Sequence, residues 1–316
     1  MRIIRRYMFL FILIGIAVGA YLTYNTYGNW SFALQLRGKR IVAFGLVAIA
    51  VSFSTITLQT LTQNRYLTPG ILGLDQLYVL IQTILFFFLG GIRMLSQETP
   101  FVFLFSTLAT GTLSSVIIQT FYKKANNQLF LLLMAGMISG TMFTSISSFL
   151  QVIMDPNEYD LLQGRLFASF SNVNSQHLLL AAGIILIGLI GLSLLIPELN
   201  VMVLGVRNAK SLGLSVSMIQ KSCLFLLSLL SGTATALVGP SVFLGFVVAT
   251  IAYQLFPTYK HGTLFVGSAL LGFLLLVGGQ FFVEQVFQWN TTINTVIQFL
   301  GGIFFLGKLV KERKGQ

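Results

Sequence analysis

Residues 196–215 read IPELNVMVLGVRNAKSLGLS, and this stretch decides how the rest of the chain is interpreted. It is the longest polar and charged gap between two apolar blocks in the second half of the sequence. The blocks on either side are long enough to cross a bilayer as helices. A small basic segment between two such blocks predicts a structured loop, about residues 197–217, that lies in the cytosol and binds a protein partner.

The composition supports a membrane protein. Of the 316 residues, 55% are hydrophobic and only 9% are charged, and the mean hydropathy is +0.87. Soluble proteins carry roughly a quarter charged residues, so this chain cannot cover a soluble surface. The sequence therefore predicts an all-α polytopic membrane protein, with one transmembrane domain over residues 1–316. The net charge of +11 lies at helix ends rather than in a stripe with aromatics, which favours lipid headgroups as partners and excludes nucleic acid.

About ten transmembrane helices are expected, because each needs about 20 mostly apolar residues. The second, third and eighth candidates contain interruptions, so nine spans remain an alternative. The candidates are roughly 7–25, 41–62, 70–91, 100–121, 128–152, 177–196, 218–238, 239–256, 263–287 and 293–309.

Lys and Arg residues indicate the orientation, because cytoplasmic loops carry most of them. With ten spans and both termini in the cytoplasm, most of the 19 basic residues lie inside. Trp30 and Trp289 then fall at the outer interface, where indole rings prefer to lie. The N-terminus resembles a cleavable signal peptide, but we expect it to remain as the first span of a multi-pass protein in the bacterial cytoplasmic membrane.

No residues point to catalysis, a cofactor or a metal ion. His177 and His261 lack other ligands at metal-binding spacing, and no phosphate-binding GxxxxGK[ST] motif is present. Asp75 is the nearest candidate for an intramembrane charge, but we interpret it as a helix-end residue beside a loop. This pattern argues against ion-coupled transport and favours an external energy source.

Two spans are rich in hydroxyl and amide side chains. Ser52, Thr55 and Gln59 lie in the second span, and Thr144, Ser147 and Ser148 lie in the fifth. They are candidates for the wall of a translocation pathway, with interhelical packing as the open alternative. The GxxxG pairs Gly15/Gly19 and Gly136/Gly140 also predict close helix packing.

Two Gly- and Pro-containing breaks occupy similar places in the two halves of the chain. Residues 68–73 read TPGILG, and residues 238–245 read VGPSVFLG. Such breaks end helices, and their paired placement indicates an internal repeat of the kind found in transporters.

A basic cluster, residues 37–40 (RGKR), lies on the outer side despite the positive-inside tendency. Arg37 and Arg40 share one face if the segment is helical, and could bind carboxylates of a docking protein in bidentate fashion. A tolerated surface loop is the equal alternative.

These features together resemble the FecCD family, the permease subunits of ABC importers for ferric siderophores, haem and vitamin B12. Four segments carry the resemblance in the family's order: Arg37 and Arg40, QNRYLTPGILG at 63–73, LNVMVLG with AKSLG at 199–213, and Gly239-Pro240 with FLG at 243–245. The resemblance extends from about Leu36 to Val310 and implies a BtuC-like permease fold.

The resemblance also implies partners. In the family, the cytoplasmic segment forms short coupling helices that dock into a separate ABC ATPase, so the chain itself is not an enzyme. Gly205 and Gly213 would end or turn these helices, and Arg37 and Arg40 would contact an extracytoplasmic substrate-binding protein. The residues expected to contact the ATPase are Leu204, Gly205, Arg207, Lys210, Ser211, Leu212 and Gly213.

Some family residues are replaced. Ala249-Thr250 stands for a Pro-His pair, Tyr253 for an arginine, and no third outer arginine occurs near Trp289. These departures favour a heterodimer with a second, different permease subunit. The sequence therefore predicts an importer permease for ferric siderophore. Haem or vitamin B12 import, an ATP-independent secondary transporter and a membrane-embedded assembly subunit are the alternatives.

Overall fold

The computed structural model describes residues 2–25, 30–91, 100–124, 129–166, 170, 174–288 and 291–314. In this part of the chain the regular structure consists of thirteen α-helices and one 3₁₀ turn, without strands, which confirms the all-α prediction. The helices are α1 Arg2–Thr23, α2 Trp30–Thr62, α3 Leu74–Leu89, α4 Pro100–Lys124, α5 Leu129–Val152, α6 Pro156–Leu166, α7 Ser175–Leu194, α8 Ile196–Met202, α9 Val206–Ser211, α10 Val216–Val238, α11 Val242–Leu255, α12 His261–Gln285 and α13 Ile293–Lys314.

Each of the ten predicted spans coincides with one helix. Seven helices in the described ranges are long and apolar enough to cross a membrane: α1, α2, α4, α5, α7, α10 and α12. The other three, α3, α11 and α13, contain shorter apolar helical stretches of 10–17 residues. The predicted loop at 197–217 instead contains the two short helices α8 and α9.

The boundaries of the second span differ from the prediction. Helix α2 begins at Trp30 rather than near residue 41, and its 33 residues continue to Thr62 without a break. The segment before residue 41 contains Ala, Leu, Gln and Arg and no proline, so nothing in it ends a helix. The expected interruption of this span is wrong, and Arg37 and Arg40 belong to the helix itself.

The interruptions of the third and eighth spans lie at their starts. The 3₁₀ turn Pro69–Leu72 and Gly73 precede α3, and Gly239-Pro240-Ser241 precede α11. Gly73 has φ +84°, and a Cβ there would lie 3.1 Å from the Gly136 carbonyl oxygen and the Gly140 nitrogen. The pair Gly136/Gly140 therefore packs against this turn as predicted, whereas Gly15 and Gly19 have open space around them.

Helices α2, α10 and α12 form the centre of the bundle. Helix α2 contacts both α10 and α12, while α10 also packs on α4 and α7, and α3 packs on α5. Of the apolar window of α2, 72% is buried, against 6% for α1, which packs along α12. Because α12 begins at His261 beside α8 and ends at Gln285, the bundle has two distinguishable ends, here called the α8–α9 end and the Glu284 end.

Candidate functional site

Helices α8 and α9 form an exposed surface at one end of the bundle. Gly205 (φ +94°) separates the two helices and Gly213 (φ +85°) follows α9, so both glycines turn the chain as expected. Leu199, Met202 and Ala209 are buried and hold the two helices against the bundle.

The opposite side of these two helices is exposed. Leu204 is 58% exposed and Leu212 is 64% exposed, and three polar or basic side chains are exposed beside them. We call this set the coupling surface: Leu204, Arg207, Lys210, Ser211 and Leu212. An apolar pair with two cations and no acidic residue within it is suited to contact an acidic partner surface.

A chain of buried hydrogen bonds connects α8 to the central helices. The Asn200 side-chain oxygen accepts hydrogen bonds from the His261 backbone N–H (2.8 Å) and from ring Nδ1 (2.9 Å). His261 Nε2 lies 2.8 Å from the Thr60 hydroxyl of α2. Because an amide oxygen only accepts, Nδ1 carries the proton, and Nε2 faces the Thr60 hydroxyl, which also donates to the Ile56 carbonyl at 2.9 Å. Movement of α8 is thereby linked to α12 and α2.

Sequence reasoning missed this role of His261. Its place at the end of a predicted span does not indicate burial, yet the side chain is fully buried. The partners Asn200 and Thr60 are 61 and 201 positions away, so no local spacing indicates the contact. Among the described residues, His261 belongs to no group of three or more His, Cys, Asp or Glu placed to hold a metal ion.

A cavity of about 440 Å³ lies beside this chain of hydrogen bonds. Val203, at the end of α8, lines it together with Gln59, His261 and Arg65. The Arg65 guanidinium lies 4.7 Å from the centre of the Tyr253 ring, so a cation is held at its wall. The cavity therefore reaches the end of α8, one residue before Leu204 of the coupling surface.

The other end of the bundle contains a buried ion cluster around Glu284. Its Oε1 accepts hydrogen bonds from Arg40 (2.9 Å), Tyr21 (3.0 Å) and Gln280 (3.0 Å). Arg37 lies 3.9 Å from Oε2 and donates to the backbone carbonyls of Tyr21 and Tyr24, at 2.8 Å each. This Glu284 cluster joins α1, α2 and α12.

Arg37 and Arg40 do share one helical face and do bind a carboxylate, but that carboxylate belongs to the same chain. The Arg40 side chain is 8% exposed and that of Glu284 is 4% exposed. Contact with a docking protein stays a prediction for both arginines. The family's third outer arginine, which this sequence lacks, would lie near Trp289. Residues 289–290 lie outside the described residues.

The predicted pathway residues occupy two different environments. Ser52, Thr55 and Gln59 of α2 are buried inside the bundle, where Thr55 lies against Gly245 of α11. Gln59 donates to the Arg65 and Leu67 carbonyls, at 2.8 and 3.2 Å, and so fixes the chain that leaves α2.

On α5, Ser147 is buried, whereas Thr144 and Ser148 are exposed. The hydroxyls of Thr144 and Ser147 donate to carbonyls one turn earlier, which satisfies them within the helix. Their part in a pathway stays a prediction.

Asp75 is buried more deeply than the sequence interpretation suggests. It lies in the first turn of α3 and is 5% exposed. The Thr235 hydroxyl of α10 donates to its Oδ1 at 2.7 Å. The interpretation as a residue beside a loop misses this burial, because the chain folds inward before α3 begins.

The two breaks singled out in the sequence meet at this aspartate. A small chamber beside Asp75 is lined by Thr68, Pro69 and Gly70 from the first break and by Ser241, Val242 and Gly245 from the second. The structure therefore brings the corresponding positions of the two halves into one place.

Comparison with known proteins places this architecture in a family. The model of the FecCD transport family matches residues 7–311, nearly the whole chain. The chain belongs to the FecCD transport family. The family resemblance inferred from the four sequence segments is thus confirmed.

Two relatives match over most of their length. The chain is 40% identical over 313 residues to the petrobactin import system permease protein YclO of Bacillus subtilis, covering 98% of this chain and 99% of that protein. It is 32% identical to the petrobactin import system permease protein FatC of Bacillus anthracis, covering 86% of this chain and 77% of the relative.

A solved structure has the same fold. It is an inward-facing metal-chelate type ABC transporter, with a TM-score of 0.84 and 22% identity, and the match covers 98% of this chain and 99% of that one. The transporter fold predicted from the sequence is therefore confirmed.

Proposed function

We propose that this chain is the permease subunit of an ABC importer that carries a ferric siderophore across the cytoplasmic membrane, with ferric petrobactin as the first candidate cargo. The near full-length similarity to YclO is the observation that carries the proposal. FatC, a permease of a petrobactin import system, supports it. The iron(3+)-hydroxamate permease FhuG of Bacillus subtilis, 28% identical, keeps hydroxamate siderophores as the second candidate.

The coupling surface is proposed to dock a separate cytoplasmic ABC ATPase. Leu204 and Leu212 would enter an apolar cleft, while Arg207 and Lys210 would pair with acidic side chains around it. Closure of the ATPases on ATP would push α8. The hydrogen bonds from Asn200 through His261 to Thr60 would then transmit this movement to α12 and α2.

The proposed importer function also implies a second permease subunit and a substrate-binding protein. A second permease subunit would complete the pathway, with a heterodimer favoured by the replaced family residues. The exposed hydroxyls of Thr144 and Ser148 on α5 are candidates for its wall. An extracytoplasmic substrate-binding protein would deliver the cargo at the Glu284 end, with both termini of this chain in the cytoplasm.

Uptake of radioactive iron tests this function. A strain lacking the gene and its complemented counterpart would be compared with ferric petrobactin, a ferric hydroxamate and haem as iron sources. We expect the deletion strain to lose iron uptake from ferric petrobactin but not from the other two sources. Complementation should restore this uptake. Loss of uptake from only the hydroxamate or only haem would identify that compound, instead of petrobactin, as the cargo. Unchanged uptake from every source, in a strain without a second importer, would reject the import function.

A further inference from the structure

The chamber between the two breaks has features that importer function does not explain. Its volume is about 10 Å³, enough for one water-sized particle. Its polar side-chain atoms are all oxygens, from the Asp75 carboxylate and from Ser and Thr hydroxyls. No nitrogen-bearing side chain lines it. Oxygen ligands of this kind suit a hard cation.

The carboxylate of Asp75 lacks a positive partner in the described structure. Both ion pairs found there involve Glu284, and the hydrogen bond to Asp75 comes from the neutral Thr235 hydroxyl. A buried carboxylate without a countercharge is costly in a low-dielectric interior. The N-termini of α3 and α11 offset part of this cost, because each carries about half a positive charge.

Two further side chains in the chamber need a partner. Thr55 is fully buried and Thr68 is 3% exposed, and neither hydroxyl has a hydrogen-bond partner among the described residues. Both line the chamber beside Asp75. Their position provides two neutral oxygens next to one charged oxygen group.

Two glycines keep these oxygens accessible to a ligand. A Cβ on Gly70 would lie 2.7 Å from Asp75 Oδ2, and a Cβ on Gly245 would overlap the Thr55 hydroxyl oxygen. Gly70 comes from the first break and Gly245 from the second. The chamber therefore depends on small residues at corresponding places of the two halves.

We propose that this chamber binds one monovalent cation of about the size of Na⁺. Asp75 supplies the negative charge, and Thr55 and Thr68 supply neutral oxygen ligands. Coupling ions and substrates bind where interrupted helices meet inside transporters, with helix N-termini facing anionic groups, and here the starts of α3 and α11 lie beside the Asp75 carboxylate. The bound cation would fasten the 3₁₀ turn before α3 to the start of α11, and this holds whichever cargo the protein carries.

Thermal unfolding of the purified full-length protein in detergent tests the proposal without any transport assay. NaCl would be titrated against choline chloride at constant ionic strength, with LiCl and KCl in parallel. We expect the unfolding midpoint to rise with Na⁺ and to saturate, because a ligand that binds only the folded state stabilises it. Binding of radioactive sodium to the same preparation should saturate over the same concentration range.

Asp75→Asn keeps the side-chain shape and removes the charge, so it should abolish the sodium-dependent shift and the sodium binding. Thr68→Val should weaken the apparent affinity while leaving the acid in place. Gly70→Ala should also weaken it by filling the chamber, and this variant serves if Asp75→Asn does not fold. Asp155→Asn, at an exposed carboxylate far from the chamber, is the matched control and should retain the full shift.

Two results would overturn the cation site. One is a thermal unfolding midpoint that is the same in NaCl and in choline chloride. It would mean that helix dipoles or a bound proton compensate the charge of the Asp75 carboxylate without a cation. The other is a sodium-dependent shift that persists in Asp75→Asn. Neither result bears on iron uptake, so the cation site and the import function fail separately.

Discussion

The two ends of this molecule use their charged residues in opposite ways. At the α8–α9 end, Arg207 and Lys210 are exposed beside Leu204 and Leu212, and the polar contacts that anchor the end are neutral. At the Glu284 end, Arg37 and Arg40 turn inward onto a carboxylate of their own chain. The first arrangement leaves charge for a partner, whereas the second uses it to join helices.

This difference shows that a basic cluster in sequence does not by itself indicate a docking surface. What separates the two ends is a single acidic residue on a distant helix. Glu284 is 244 positions from Arg40, yet it satisfies both arginines. The α8–α9 end has no equivalent carboxylate among the described contacts of Arg207 and Lys210. The predictions below change one end at a time.

The largest effect on stability is expected from Glu284→Gln. It leaves the buried Arg40 without its countercharge, and breaking a buried pair in this way costs about 3–5 kcal/mol. The free energy of unfolding, measured by chemical denaturation of the purified protein in detergent, should fall by that amount. Replacing both partners, with Arg40→Met and Glu284→Leu, should recover part of the loss, because the buried Arg40 charge is removed and Arg37 keeps the Tyr21 and Tyr24 carbonyls as acceptors.

The exposed acid Asp155 provides the control for this experiment, and Asp155→Asn should change the free energy of unfolding little. A Glu284→Gln variant as stable as the parent would mean that Arg40 is not confined to the Glu284 cluster. That outcome would favour the docking role predicted for Arg37 and Arg40 from the sequence.

A smaller effect is expected at the other end from Asn200→Ala. The change removes the acceptor of two hydrogen bonds and leaves the buried Nδ1–H of His261 unpaired, which costs about 1–3 kcal/mol. If the chain from Asn200 to Thr60 also transmits movement, ATP-driven uptake should fall more than the loss of folded protein accounts for. Uptake normalised to the amount of folded importer measures this.

Asn208→Ala is the matched control, because Asn208 is exposed and bonds only the Leu204 carbonyl in its own turn. Equal losses of normalised uptake in both variants would remove the special role of Asn200.

The next change is smaller again. Gly205→Ala places a Cβ in open space, so only the backbone conformation, φ +94° and ψ +156°, opposes it. The cost should be about 1–2 kcal/mol. By contrast, Gly73→Ala adds a clash with α5 to the cost of a left-handed backbone (φ +84°, ψ +8°) and should be the more destabilising of the two. Thermal unfolding of both variants in one detergent would rank them, and the reverse order would contradict the packing of Gly73 against Gly136 and Gly140.

These residues show what the sequence could predict and what it could not. Apolar runs of about 20 residues predict the membrane-spanning helices, and glycines such as Gly205 and Gly213 predict the turns at the ends of the short helices. Both signals are local in the sequence. The Asn200–His261–Thr60 and Arg40–Glu284 contacts join residues 61 to 244 positions apart, and no local pattern contains them. Asp75 is an intermediate case. The sequence shows the two breaks, but only the folded structure shows that both lie beside Asp75.

The smallest effect on stability, and the sharpest on function, is expected from Arg207→Glu combined with Lys210→Glu. Both side chains are exposed and neither supports the fold, so the unfolding free energy should change by less than about 0.5 kcal/mol. Reversing two charges at a docking surface should instead weaken the ATPase complex, since like charges placed face to face are strongly unfavourable. Co-purification of the ATPase and ATP-driven uptake should both be lost from protein that still inserts. Lys39→Glu, at an exposed cation of the Glu284 end, should leave co-purification of the ATPase intact. Normal uptake by the double variant would refute the coupling surface, while loss of the ATPase from Lys39→Glu as well would mean that the change of charge, and not its position, breaks the complex.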